Sequence, residues 1–357
     1  MNMATMRPGR VAATSTALMG LALLTGCGGG GGGGSPPPVA TLAISVANGD
    51  TVSHAVASGV LGMSPAQTLP LATSDRSTAL GGMSASARSG WLSRIVAELR
   101  EPGSARTLGT GTGRVHLLAV TGPVDEPCGA SGKVSTTFDD KDNDAMPSPG
   151  DVLTIAFHAC MDGADETIDG TVVTTITSFD LNASSFSARL TMSSLSDVTA
   201  RHATTISGAM QLDFRSISAS ADVTRLTALG PVTTSVTTHL PYSDTVTLMA
   251  GFYEELSYDA SAVPPGGGSP GLSTLTISGM MESATAGGSV EVTTRSSAPL
   301  LQSDSEAYPR SGIVDIRGRT GSVVVTAKSA DTVRIDLDAN DDGSYEGTHD
   351  VSWDWLF

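Results

Sequence analysis

The chain has 357 residues, and its 36 acidic side chains outnumber 20 basic ones for a formal net charge of −16. A surface of that sign repels nucleic acid and anionic lipid headgroups, which excludes both as partners of the body of the protein. Aromatic residues make up only 4% of the sequence, too few to fill a large interior. That leaves room for a ligand cavity, the alternative being a core packed with Val, Ile, Leu and Met.

In chain order, residues 1–26 read as a signal segment: Arg7 and Arg10 are the positive flank, and Val11–Thr25 is an apolar run too short to span a bilayer comfortably. The "LTGC" that follows, Leu24 to Cys27, resembles the lipobox of bacterial lipoproteins. The resemblance implies diacylation of the Cys27 thiol, cleavage ahead of it and acylation of the new amino group. Three acyl chains are enough for stable anchoring. A plain secretory signal with an incidental cysteine is the other reading. In the Gram-negative sorting rule an aspartate after the cysteine implies inner-membrane retention, so Gly28 implies the outer membrane, with the chain facing the periplasm or the cell surface. Loss of residues 1–26 removes two arginines and no acids, taking the formal charge from −16 to −18. Residues 27–38 are the lipidated cysteine and a tether of seven glycines followed by "SPPP". Its root-mean-square reach is on the order of 18 Å. No second apolar run approaches transmembrane length.

Residues 39–113 form a weakly patterned region with one helix near 89–100. Leu92, Ile95, Val96 and Leu99 make a single apolar stripe, Ser89 is the N-cap, and Pro102-Gly103 stops the helix. "GTGTGR", 109–114, lacks the Gly-Lys-Ser/Thr ending of a phosphate loop and reads as a plain loop.

From 114 to 357 the period becomes two. Phe186, Ala188, Leu190 and Met192 alternate with polar residues, as do Met210, Leu212 and Phe214, and later Val333, Ile335 and Leu337. Such alternation marks antiparallel strands with one dry face. The fold class is therefore all-β, mainly an antiparallel meander of about a dozen strands. It must close as a half-barrel, barrel or sandwich, with a short N-terminal helical region. "PPGGGSPG", 264–271, is a longer excursion. "TIDG" at Thr167 and "TISG" at Thr205 and Thr276 recur at unequal spacing and read as a repeated strand start. The closing "SWDWLF" reads as a last strand bearing Trp353, Trp355 and Phe357.

Chemistry concentrates in two acidic loops. In "DDKDNDAMPSPGD", Asp140, Asp142, Asp144, Ser148 and Asp151 fall at positions 1, 3, 5, 9 and 12 of a calcium loop, with Met146 supplying the position-7 carbonyl. Position 6 departs from the pattern, with Ala145 where glycine belongs. The flanks are strands, so the loop caps a hairpin. If Phe138 faces Asp151, then Cys128 and Cys160 fall nearly opposite each other, where an oxidising compartment would join them. A zinc site of both thiols with His158 is the rival and lacks a fourth ligand. The segment from Cys128 to Cys160 resembles a pattern in proteobacterial lipoproteins, a cysteine-bounded hairpin with an aspartate-rich Ser-x-Gly-Asp loop; the resemblance implies no activity. In the second loop, "DLDANDDGSYEGTHD", Asp338, Asn340, Asp342 and Glu346 take positions 1, 3, 5 and 9 and Ser344 offers its carbonyl. Gly343 is correct at position 6, and His349 replaces the closing acid. A polar hairpin turn is the alternative for either loop.

No Gly-x-Ser-x-Gly elbow or His-Glu-x-x-His occurs, and the six histidines have no metal spacing. Glu254-Glu255 would serve a hydrolase only if the fold supplied a third carboxylate. The sequence points to a lipid-anchored, non-enzymatic envelope protein with a calcium-stabilised β domain in a structural, adhesive or assembly role. The alternative is a carrier of a lipid or other apolar ligand.

Overall fold

The computed structural model describes residues 39–60, 91–100, 106–107, 114–115 and 122–356, apart from residues 145, 162–165, 181, 183, 200–201, 239–241 and 266–269. Cys27, the tether, Ser89, Pro102-Gly103, residues 109–113 of "GTGTGR" and Phe357 lie outside the described residues.

The period-two segments form strands. After helix α1 (Gly49–Gly59) and helix α2 (Trp91–Arg100), a short ladder joins β1 (Arg106–Thr107) to β2 (Arg114–Val115). The main sheet then runs through β3 (Val124–Pro127), β4 (Ser131–Asp139), β5 (Val152–Met161), β6 (Glu166–Asp180), β7 (Ser185–Thr199) and β8 (His202–Ser218). Next come β9 (Ala221–Ala228), β10 (Val232–Thr238), β11 (Ser243–Leu248), β12 (Tyr253–Asp259), β13 (Leu272–Ser283), β14 (Gly288–Thr294) and β15 (Leu300–Ser303). The last four are β16 (Gly312–Arg317), β17 (Ser322–Ala327), β18 (Thr332–Asp338) and β19 (Gly347–Ser352), followed by a single-turn helix α3 (Trp353–Leu356). All seventeen described strands from β3 on belong to one hydrogen-bonded sheet, and the count exceeds the dozen expected. The pairing is antiparallel throughout. Several labelled strands are halves of one longer strand: β8 pairs with β10 along its first half and with β9 along its second. The long strand β13 likewise pairs with β11 and β12 on one side, and with β14 and β15 on the other.

The recurring "T-I-x-G" phrase opens β6, where Thr167 is the second residue, but lies further inside β8 and β13. Gly170, Gly208 and Gly279 sit inside β6, β8 and β13 with φ of 117°, 140° and 148°. At each, the neighbouring strand bulges against the glycine. An added Cβ at Gly208 would lie 2.9 Å from the Pro231 carbonyl oxygen, and one at Gly279 would lie 2.6 Å from Cα of Phe252. Only glycine tolerates both the conformation and the approach. Register shifts at Phe157/Cys160, Asp169/Thr171 and Met192/Leu195 continue the same line through β5, β6 and β7. The sheet is therefore creased across its strands, since each bulge adds local bend and twist.

Val, Ile, Leu, Met and Phe from the dry face form one core with both longer helices. Phe186, Leu190, Leu212, Phe214, Val333 and Ile335 are all buried, in the phase their alternation set. Helix α1 was not legible in the weakly patterned region. Its Val52, Ala55 and Val56 are buried, and it runs from Leu337 on β18, beside Gly49, to Val246 on β11, where a Cβ on Gly59 would sit 2.6 Å away. In α2, Leu92, Ile95, Val96 and Leu99 are buried as the stripe required, and Arg94 pairs with Glu126 of β3. These helices thus share the core of the β-sheet instead of standing apart from it.

The chain end corrects another expectation. Residues 353–356 turn into α3 instead of extending β19. Trp353 is buried and its Nε1–H lies 3.1 Å from the carbonyl oxygens of both Pro309 and Ser329, while Ser352 Oγ accepts the Trp355 N–H. A buried indole needs an acceptor, and turning the chain supplies it.

Candidate metal centre

Both acidic loops close hairpins, and both start alike. Position 4 is left-handed in each, Asn143 at φ 58° and Asp341 at φ 59°. In the first loop the carboxylates turn back on their own backbone: Asp140 accepts the Asn143 N–H at 2.7 Å and Asp144 accepts that of Met146 at 2.7 Å. In the second, Asn340 accepts the Asp342 N–H at 2.9 Å and Asp342 accepts that of Ser344 at 2.8 Å. These are the local turns that aspartate and asparagine favour.

The second halves differ. In the first loop Asp140, Asp142 and Asp144 each bring an oxygen within 4.8 Å of the others, with Asp142 and Asp144 exposed. Asp151 does not join them. It is fully buried, and it accepts the N–H groups of Lys141 and Ser148 at 2.8 and 2.7 Å and the Ser148 hydroxyl at 3.1 Å. Ser148 Oγ also lies 2.9 Å from Asp142. The position-12 acid therefore ties the loop shut through its own backbone, and Lys141 pairs with Asp139 outside the trio.

In the second loop Asp338, Asp342 and Glu346 meet within 4.8 Å. Position 9 does the closing here: Glu346 accepts the Ala339 N–H at 2.7 Å while its own N–H goes to the Leu337 carbonyl. His349 stays away from the group and lies 3.3 Å from Asp50 on α1. Asp338 is 6% exposed; its Oδ2 accepts the Gly343 N–H at 2.9 Å, and its Oδ1 is buried with no hydrogen-bond partner. Three carboxylates at that spacing repel one another, and none of them makes a salt bridge among the described residues. Hard oxygen donors on a hairpin tip suit calcium.

Cys128 and Cys160 form a disulfide with Cα atoms 5.5 Å apart. The register that suggested it is corrected by two residues: Phe138 faces Leu153, not Asp151, because Asp151 is used in closing the loop. Cys128 lies in the turn ahead of β4, where its N–H reaches the Gly132 carbonyl, and a bulge in β5 brings Cys160 to it. With both thiols joined no zinc site remains, and His158 sits 3.1 Å from the Ser135 hydroxyl.

The Glu254-Glu255 pair is split by the strand pleat. Glu255 faces outward, 3.9 Å from Arg225. Glu254 faces the core with both carboxylate oxygens buried and unpartnered, opposite Leu226 and Ile277 on the flanking strands. Burial pushes its carboxyl up from 4.5 to about 8. On the strand beside it the Thr224 hydroxyl is also buried without a partner. Burial together with the nearby Glu166 raises Asp197 to about 7. Sequence reasoning missed the inward turn of Glu254, although "YEELSYD" sets it in phase with the buried Leu256 and Tyr258.

No protein-family model, no curated protein and no solved structure matches the chain.

Proposed function

We propose that the chain is a lipid-anchored, non-enzymatic protein of a Gram-negative outer membrane. Its β domain is stiffened by calcium and serves envelope structure, adhesion or assembly. The observation that carries this reading is the pair of acid-rich hairpin tips, each holding three carboxylates within 4.8 Å. The disulfide fits an oxidising compartment, and the lipobox-like "LTGC" supplies the anchor. A thermal melt of the full chain in detergent, with chelator and then with calcium at 100 times its dissociation constant, should show a rise of roughly 4 °C. No shift would remove calcium from the reading. Cys27→Ser should move the protein from the membrane to the soluble fraction, and continued membrane attachment would end the anchor reading.

A second reading, a carrier of an apolar ligand, is favoured by Glu254 and Thr224, polar groups facing the core without partners. A buried polar group of that kind calls for a donor or acceptor from elsewhere. Mass spectrometry of gently purified protein should then reveal a bound amphiphile; a clean protein mass from repeated preparations removes the carrier. Glu254 also sets a pH dependence. Its folded value lies above its ordinary one, so its contribution to stability is fully present below pH 4.5 and is lost as pH rises through about 8. Glu254→Gln should flatten the fall in melting temperature across that window; an unchanged fall would assign it to other groups.

A further inference from the structure

We propose that the second loop alone is the calcium site, holding one ion between Asp338, Asp342 and Glu346, and that the first loop is a metal-independent hairpin clasp. This rests on the calcium reading above and goes further by choosing between the two loops. Counting acids favours the first loop, which has a carboxylate at position 12 where the second has a histidine.

The satisfaction of each carboxylate reverses that preference. In the first loop the one buried acid, Asp151, accepts three hydrogen bonds from Lys141 and Ser148 and stands outside the trio. A cation drawing on it would have to break the bonds that close the hairpin. The second loop has the opposite arrangement. Its buried acid, Asp338, is a member of the cluster, and one of its oxygens has no donor from the protein. An unpaired carboxylate oxygen buried in this way is costly unless a cation or hydrogen bond meets it. The two acids that share the cluster with it, Asp342 and Glu346, are exposed, so an ion can enter from solvent. Gly343 at φ 83°, with nothing within 4 Å of an added Cβ, provides the sharp turn that calcium loops require at position 6. Oxygen-only ligands, no thiolate or imidazole among them, select a hard dication over zinc or copper.

The site also borders the start of the folded unit. Asp341 accepts the Gly321 N–H at 2.8 Å, and next to it the Thr320 carbonyl accepts the Ile44 N–H at 2.8 Å. An ion that orders residues 338–346 therefore steadies the β16–β17 turn and the segment leading into α1.

The test uses the full chain in detergent, with calcium and terbium as probes. Tyr345, half exposed and placed between Asp342 and Glu346, should sensitise terbium emission, and calcium should displace it. Asp342→Ala and Glu346→Gln should each abolish the calcium-induced rise in melting temperature and the emission. Asp142→Ala should leave both in place. Tyr345→Phe should cut the emission several-fold while keeping the calcium rise. If Asp142→Ala removes the rise and the second-loop variants keep it, the assignment is overturned and the calcium reading survives. Unchanged emission in Tyr345→Phe would likewise place the ion elsewhere. If neither probe acts on the unmodified chain, both readings fail together.

Discussion

The two acidic hairpin tips share aspartate at positions 1 and 5 and a left-handed residue at position 4, and they have opposite endings. Asp151 of the first loop is buried and satisfied; Asp338 of the second is buried and lacks a partner on one oxygen. The lesson is that the number of acids in a loop says less about metal than what each acid already holds. A buried carboxylate with both oxygens already hydrogen-bonded, as in Asp151, is a structural residue whether or not its spacing fits a ligand pattern.

The largest expected effect lies in the first loop. Asp151→Ala strands the Lys141 and Ser148 donors and should cost about 3–5 kcal/mol in denaturant melts. If the first loop is a clasp, that loss is the same in chelator and in calcium; a loss seen only in calcium would make it a metal loop after all. Reducing the Cys128–Cys160 bond comes next. Its sequence separation of 32 residues implies about 3–4 kcal/mol from loop-closure entropy. Because the bond fastens the opposite end of the first hairpin, the calcium response of the second loop should persist after reduction, as a melt in reductant would show. The smallest effect separates the loops by backbone alone. Gly343→Ala should cost about 1 kcal/mol through its left-handed conformation and weaken the calcium response. Asn143→Gly, at φ 58°, should change stability by only a few tenths of a kcal/mol, and a loss as large as that of Gly343→Ala would remove the distinction.

Much of the fold was legible because period-two alternation follows from the pleat. The inward phase of β7, β8 and β18 could be read residue by residue from Phe186, Leu212 and Ile335. What alternation could not show was interruption. Gly208 and Gly279 fit a strand pattern as well as a turn pattern, and only the close approach of Pro231 and Phe252 reveals them as points on a crease. The register of the first hairpin slipped by two because a side-chain pattern cannot tell that Asp151 is used in closing the loop. Helix α1 escaped because "GDTVSHAVASG" is built of small residues whose apolar stripe is shallow, and its packing on Val246 and Leu337 comes from tertiary structure. At the candidate site the acids that cluster, Asp338, Asp342 and Glu346, were legible from spacing. The orphan oxygen of Asp338 was not, because it depends on burial.

The segment ahead of α1 has a mechanical consequence. Any tension applied to the chain before residue 39 enters the folded unit through Thr41–Ile44. Thr41 and Leu42 are fastened by hydrogen bonds to Ser289, and Ala43 bridges to Thr320 in a parallel pairing. The first contacts to feel a pull are therefore not the helix but Ser289 at the start of β14, followed by a short clamp at the β16–β17 turn, whose Gly321 is held by Asp341 of the second acidic loop. The strength with which this molecule grips the segment ahead of α1 is set at residues 248 and more positions away in the chain.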